Sequence, residues 1–329
     1  MSSGAYQIGT ASLRCTLHPL GASISSVQFR NGVDQLVETA LAPLNFATGE
    51  QDPSLTGRTI APCCGRIRNA QMELDGQEIL LTRNHGAHHI HGGAYGAAYQ
   101  VWDGEQLSQE HVRFTLCLPD GLDGYPGNRT LTADYTVSGN SLRVEYTAVS
   151  DRATFMDMTN HVYWDLSGRF DGSAMRQQLE IAADYAIVND AEHLPLRVVK
   201  AENAFDFGDP VSPANMLARY PQDEQLVIGR GYNNAFILRE DRTFAARLTS
   251  EETGIRMRMY TDQPAIVFYS GGFLDGQTRL ICGGASPECA LALEAQGVPD
   301  PFHLPGQEIA ELLPGETYRK TIRWTFDTL

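Results

Sequence analysis

Glycine and proline punctuate this 329-residue chain throughout, thirty-one and sixteen of them, and leave few stretches long enough for an extended amphipathic helix. Between the breaks lie short segments of alternating apolar and polar residues, the period of a half-buried strand. Met72 to Leu80 places Asp75-Gly76 between two such segments. A type I′ hairpin turn needs φ > 0 at both central residues, so this dipeptide predicts a hairpin. Residues 132–149 repeat the arrangement around Ser138-Gly139-Asn140, residues 255–260 alternate with Arg256 and Arg258 on one face, and residues 318–326 alternate again. A helical turn or two is expected only around residues 212–217. The pattern predicts an all-β protein, an antiparallel sandwich of large sheets, with residues 1–329 as one domain.

Charge narrows the function. Forty acidic against 25 basic residues give a net −15, and the basic residues are scattered. Nucleic acid and anionic membranes are therefore not expected partners, since affinity for either needs a clustered basic patch. No apolar run is long enough to span a bilayer, and the N-terminus shows no secretory pattern, so a cytoplasmic location is expected. The six cysteines (15, 63, 64, 117, 282 and 289) offer no Cys-x-x-Cys and are read as reduced and mostly buried.

Three islands could carry chemistry. Residues 84–93 hold His85, His88, His89 and His91 before Gly92-Gly93. His89 and His91 would share a strand face and could chelate, yet no glutamate follows at cupin-like spacing, so no metal is expected. The double glycine marks a sharp turn or a close backbone approach. His85 and His88 read as solvated loop residues. His161 sits among aromatics in residues 159–166, where the plain alternative is a hydrogen-bonded core histidine. Glu294 interrupts the apolar run 290–296; a carboxylate there must be protonated, paired, or set in a cleft that uses its raised pKa. Arg66, between Gly65 and Ile67, reads equally as a ligand fork or as half of an ion pair. No Gly-x-Gly-x-x-Gly sits between a strand and a helix, and no Gly-x-Ser-x-Gly occurs.

In order, these islands resemble the aldose 1-epimerase (mutarotase) family from about Gly57 to Phe326. The resemblance is carried by Gly65-Arg66-Ile67, Leu74-Asp75-Gly76, Asn84 and His89-Ile90-His91-Gly92-Gly93. It continues through Thr159-Asn160-His161-x-Tyr163, Thr261-x-Gln263-Pro264, Leu293-Glu294-x-Gln296 and Pro299-Asp300. It implies a galactose mutarotase-like β-supersandwich and a cofactor-free exchange of sugar anomers. Glu294 would be the base and His161 the acid, with Arg66, His91, Asn233 and Gln263 binding a small-molecule sugar. The chain departs from the family pattern at Gly65, at Trp164-Asp165, at Pro195-Leu196-Arg197 and at Asn233-Asn234, where an Asp-His pair is usual. An amide at Asn233 is a weaker acceptor for a sugar hydroxyl but does not repel anions. The alternatives are an epimerase of a phosphorylated or otherwise anionic sugar, and a non-catalytic sugar-binding module of the same fold.

Overall fold

The computed structural model describes residues 4–43, 52–274, 279–280, 283–284 and 286–329. Among them, two antiparallel sheets dominate. The larger has eight strands in the order Asp103–Ser108, His111–Leu118, Arg129–Ser138, Ser141–Ser150, Tyr318–Thr328, Ile255–Thr261, Ala246–Thr249 and Gln178–Ile181. The second has seven, in the order Pro195–Lys200, Ala183–Asn189, Asn233–Leu238, Ala265–Tyr269, Leu291–Gln296, Tyr163–Trp164 and Ala40–Leu41. A four-stranded sheet over Tyr6–Gly9, Leu13–His18, Ser23–Arg30 and Leu36–Glu38 packs on the same core.

The sequence signals map onto these elements. Asp75 and Gly76 turn with φ of 49° and 69°, as a type I′ hairpin requires, and join Gln71–Leu74 to Gln77–Leu80. Ile255–Thr261 buries Ile255, Met257 and Met259 and turns Arg256 and Arg258 outward to share Asp327 on the neighbouring strand. Pro213–Arg219 is helical, capped by the Ser212 hydroxyl accepting from the Asn215 N–H. A second short helix, Glu224–Gly229, was not expected. Its signal was an N-capping Asp223 before Glu224, overshadowed by the surrounding breakers. Among the described residues no helix is long and apolar enough to cross a membrane. Cys15, Cys63, Cys64 and Cys289 are buried, Cys117 is exposed, and no disulfide joins them; Cys282 lies outside the described residues.

The sheets meet on aromatic side chains. Trp164 of the seven-stranded sheet packs against Trp324 and Phe326 of the eight-stranded one, with ring centroids 5.6 and 5.9 Å apart, while Phe29 of the four-stranded sheet stacks on Phe326 at 5.5 Å. Trp164 also lies three residues beyond His161, so this junction anchors the strand that follows the histidine. Trp164→Ala should cost about 3–5 kcal/mol through lost burial and a residual cavity. Urea unfolding should show it as a lower midpoint at unchanged slope, and a loss below about 1 kcal/mol would contradict the packing described.

Candidate active site

Backbone pairing brings four distant segments to one place. Arg66-Ile67 pairs with His89-Ile90 in a short antiparallel ribbon, with Ile90 opposite Arg66, which sets His91 beside Gly65. Gly65 and His91 then bond reciprocally: the His91 N–H donates to the Gly65 carbonyl at 3.0 Å, and the Gly65 N–H donates to His91 Nδ1 at 3.3 Å. That second bond puts the proton of a neutral His91 on Nε2. The double glycine after His91 serves both purposes anticipated for it. Gly92 and Gly93 adopt φ of 81° and 99°, and a Cβ on either would lie 2.2 Å from another atom, the Ala61 carbonyl oxygen or the Asp123 carboxyl carbon.

His161 follows Thr159-Asn160, which pairs with Thr59-Ile60. Its N–H donates to the Arg58 carbonyl at 2.8 Å and its carbonyl accepts from the Gly57 N–H at 2.9 Å. Gly57 cannot be larger, since a Cβ there would sit 1.9 Å from the Ile24 carbonyl oxygen. Glu294 lies in Leu291–Gln296, a strand buried along its whole length between Ala265–Tyr269 and Tyr163–Trp164.

A cavity of about 550 Å³ opens where these segments meet. Arg66, His91, His161, Asn233 and Glu294 all line it, so the structure brings together five of the six residues singled out from the sequence. Gln263 is elsewhere. Its amide donates to the Asp157 carboxylate (3.1 Å), the Met158 carbonyl (3.2 Å) and the Tyr318 hydroxyl (3.0 Å), which leaves it committed to a buried scaffold away from the cavity. On the strand that follows, Val267 and Tyr269 reach the wall instead.

The four clustered histidines separate. His91 and the exposed His85 line the cavity. His89 is buried between the Thr82 carbonyl and the Tyr125 hydroxyl. His88, expected in solvent, is also buried: its Nδ1 accepts the Asn69 N–H at 3.0 Å and its Nε2 lies 3.4 Å from Glu192. Among the described residues no set of three His, Cys, Asp or Glu side chains is placed to hold a metal ion.

At the deep end, His161 Nε2 lies 3.7 Å from Glu294 Oε2. His161 Nδ1, Glu294 Oε2, Arg66 Nε and Gln296 Oε1 are all buried without a hydrogen-bond partner among the described residues. Such groups are costly unless something else satisfies them, and here they surround one space. Burial pushes the Glu294 carboxyl above its ordinary range, against the opposing pull of His161 and Arg66. Burial, with His161 and Arg66 next in weight, pushes His91 well below its ordinary range and keeps it neutral. The His161 ring lies 4.9 Å from Tyr163 and 5.5 Å from His91, centroid to centroid. Tyr269, pushed up to about 12 by burial, stays a neutral phenol and accepts the Phe273 N–H at 2.8 Å.

His193, Asn189, Tyr269 and Gln296 also line the wall; none of them is assigned a site role from the sequence, although Gln296 belongs to the motif around Glu294. His193 gave no signal, because it sits in a turn and reaches the cavity only through the fold.

The comparisons with known proteins fall on this ground. The model of the aldose 1-epimerase family matches residues 4–325, and the chain belongs to that family. Human galactose mutarotase is 29% identical over 326 residues, covering 98% of this chain and 93% of its own. The aldose 1-epimerase of Escherichia coli K12 is 29% identical over 328 residues, covering 96% and 92%. A crystal structure of an aldose epimerase homologue from C. elegans superposes with a TM-score of 0.91 at 27% identity, covering both chains entirely. The fold is thus the galactose mutarotase-like β-supersandwich.

The raised carboxyl leads to a stability test. Because native Glu294 titrates above the ordinary glutamate value of 4.5, its contribution is fully present below that pH and is lost as pH rises through the native value. Glu294→Gln removes this titration. The variant should melt above the parent at pH 7.5, with the gap shrinking toward pH 4; a gap independent of pH would overturn the assignment.

Proposed function

We propose that this protein is an aldose 1-epimerase, an isomerase that interconverts the α and β anomers of a free aldose, with Glu294 as base and His161 as acid. The observation that carries the reading is the 3.7 Å separation of His161 Nε2 and Glu294 Oε2 in one cavity, both residues retaining unsatisfied buried atoms. The C1 hydroxyl and the ring oxygen hang from the same carbon, so a base for one and an acid for the other have to be close neighbours. Family membership and the relatives' named activities support the same reading.

Glu294, ionised, takes the proton of the C1 hydroxyl while His161 gives one to the ring oxygen. The C1–ring oxygen bond breaks, its electron pair stays on the ring oxygen, and the open chain carries an aldehyde. Rotation about C1–C2 presents the other face, and closure runs the transfers in reverse. A carboxyl held above its ordinary range is a stronger base than a solvated one, which suits it to a weakly acidic hydroxyl. Arg66 stabilises the ionised carboxylate, and the Nε2–H of neutral His91 donates to a sugar oxygen without competing for the proton. The two side chains account for every proton, so no step runs through a metal or a cofactor.

Asn233 binds a sugar hydroxyl from the wall, whereas Gln263 acts on the scaffold and not on the substrate. The chain works as one domain, a reading supported by one hydrophobic core that draws residues from all three sheets. The described cysteines, without disulfides, support a cytoplasmic location. Glu294→Gln and His161→Asn should each lower anomer exchange on galactose and glucose by about 10²-fold or more, followed by polarimetry or exchange NMR with circular dichroism as the check on folding. Folded variants with parental rates would sink the mechanism.

A further inference from the structure

The cavity is unevenly furnished. Among its described lining residues Glu294 is the only carboxylate, against Arg66 and the four imidazoles of His85, His91, His161 and His193. Asn84, Asn189, Asn233 and Gln296 add neutral amides. Two groups of polar side chains can be told apart by contact: Glu294 and His161, 3.7 Å apart, form an acid–base end, and His193 and Arg230, both against Phe273, mark a donor-rich end.

His193 is built into the donor-rich end. It holds φ of 63°, and its Nδ1 is buried without a hydrogen-bond partner among the described residues. Its ring stands edge-on to Phe273 at 5.2 Å, and the Arg230 guanidinium lies 5.1 Å from the centre of the same phenyl ring. The acids of its own turn are engaged elsewhere. Asp190 accepts from Arg68 at 3.0 Å and from the Glu192 and Leu194 N–H groups at 2.9 and 3.1 Å, and Glu192 lies against His88. Asn233 places an amide on this wall where a carboxylate would repel an anion.

We infer that the substrate is an aldohexuronate, whose sugar carboxylate is received by His193, His85 and Asn233 while its anomeric carbon lies between Glu294 and His161. This deepens the anomer-exchange reading and rests on it. Burial first, and then Arg66, holds His85 and His193 below their ordinary range; an entering carboxylate counters the repulsion from Arg66 and makes the contact charge-assisted. A phosphate dianion fits this wall less well. It calls for guanidinium forks, and among the described lining residues Arg66 is the one arginine.

The test compares anomer exchange by NMR on galacturonate and glucuronate, the matching neutral hexoses, and glucose 6-phosphate, in the parent and in His193→Asn. Asparagine tolerates the left-handed φ and keeps a polar side chain, so the fold should survive. The parent should favour a uronate over its hexose in kcat/KM by about tenfold or more, and the variant should lose most of that ratio, on the scale of one charge-assisted bond. A hexose turned over as well as its uronate, a preference for the phosphate ester, or a variant that slows uronate and hexose equally would each overturn the inference while leaving the epimerase reading intact. If no sugar is exchanged, the epimerase reading fails, and calorimetric titration with the uronate decides the subsite. Binding weakened about tenfold by His193→Asn upholds it, and absence of binding overturns it.

Discussion

A carboxylate buried in the middle of a sheet is the constraint around which this molecule is arranged. Glu294 has strands on both sides and apolar neighbours along its own strand. An isolated charge in such a place is strongly disfavoured, and burying the neutral acid without partners is costly as well. The fold answers with Arg66 and His161 as neighbours, which moderate the shift, and with no hydrogen-bond donor on Oε2 among the described residues. A purely structural glutamate would be better served by backbone N–H donors, as Asp165 is. That carboxylate is just as buried, yet it accepts from the Phe170 and Ser167 N–H groups, the Ser173 hydroxyl and the Gln177 amide. The contrast sets a carboxylate with an unpartnered oxygen against one, equally buried, whose oxygens are both engaged.

The spacing of Glu294 and His161 depends on a second buried acid. Asp157 lies four residues before His161 and accepts the Gly297 N–H with both oxygens, at 3.1 and 3.0 Å, three residues beyond Glu294. Gln263 completes the joint by bridging Asp157, the Met158 carbonyl and the Tyr318 hydroxyl, and that hydroxyl also accepts the Met158 N–H. Segments from three parts of the chain are thereby fixed to the end of the strand that carries Glu294. A Cβ on Gly297 would lie 3.2 Å from an Asp157 oxygen, so the contact is as close as a backbone can make it. Gln263 thus ties Asp157 to Tyr318 behind the strand end, and it is not among the described lining of the cavity.

What was legible in the sequence follows from the range of the forces involved. Hairpins such as 71–80 are set by local turn chemistry, and Asp75-Gly76 is sufficient to announce one. Glu294 was legible because a charge in an apolar strand is anomalous wherever the strand goes. His193 and Asn189 were not, because nothing local marks a turn residue that reaches a cavity wall only after distant strands have paired. The partners of Gln263 were not legible for a related reason. A motif fixes where a residue lies along the chain, but the direction of its side chain was settled by Asp157 and Tyr318, which lie 106 and 55 residues away. His88 reads along the chain as a solvated loop residue, yet it is buried, with Nδ1 accepting the Asn69 N–H and Nε2 3.4 Å from Glu192 on another loop.

The same separation of scales governs charge. A net −15 describes the long-range field and argues against anionic partners at a distance. That field is screened within about 8 Å at physiological ionic strength, whereas groups inside a cavity are screened much less. Local pairing differs from the net figure: Asp134, Glu145 and Asp327 each engage basic side chains of their own sheet. Inside, among the described lining residues, one acid is set with one arginine and several imidazoles. Overall charge therefore sets how fast a charged sugar approaches, and the balance of donors and acceptors on the wall decides which sugar stays.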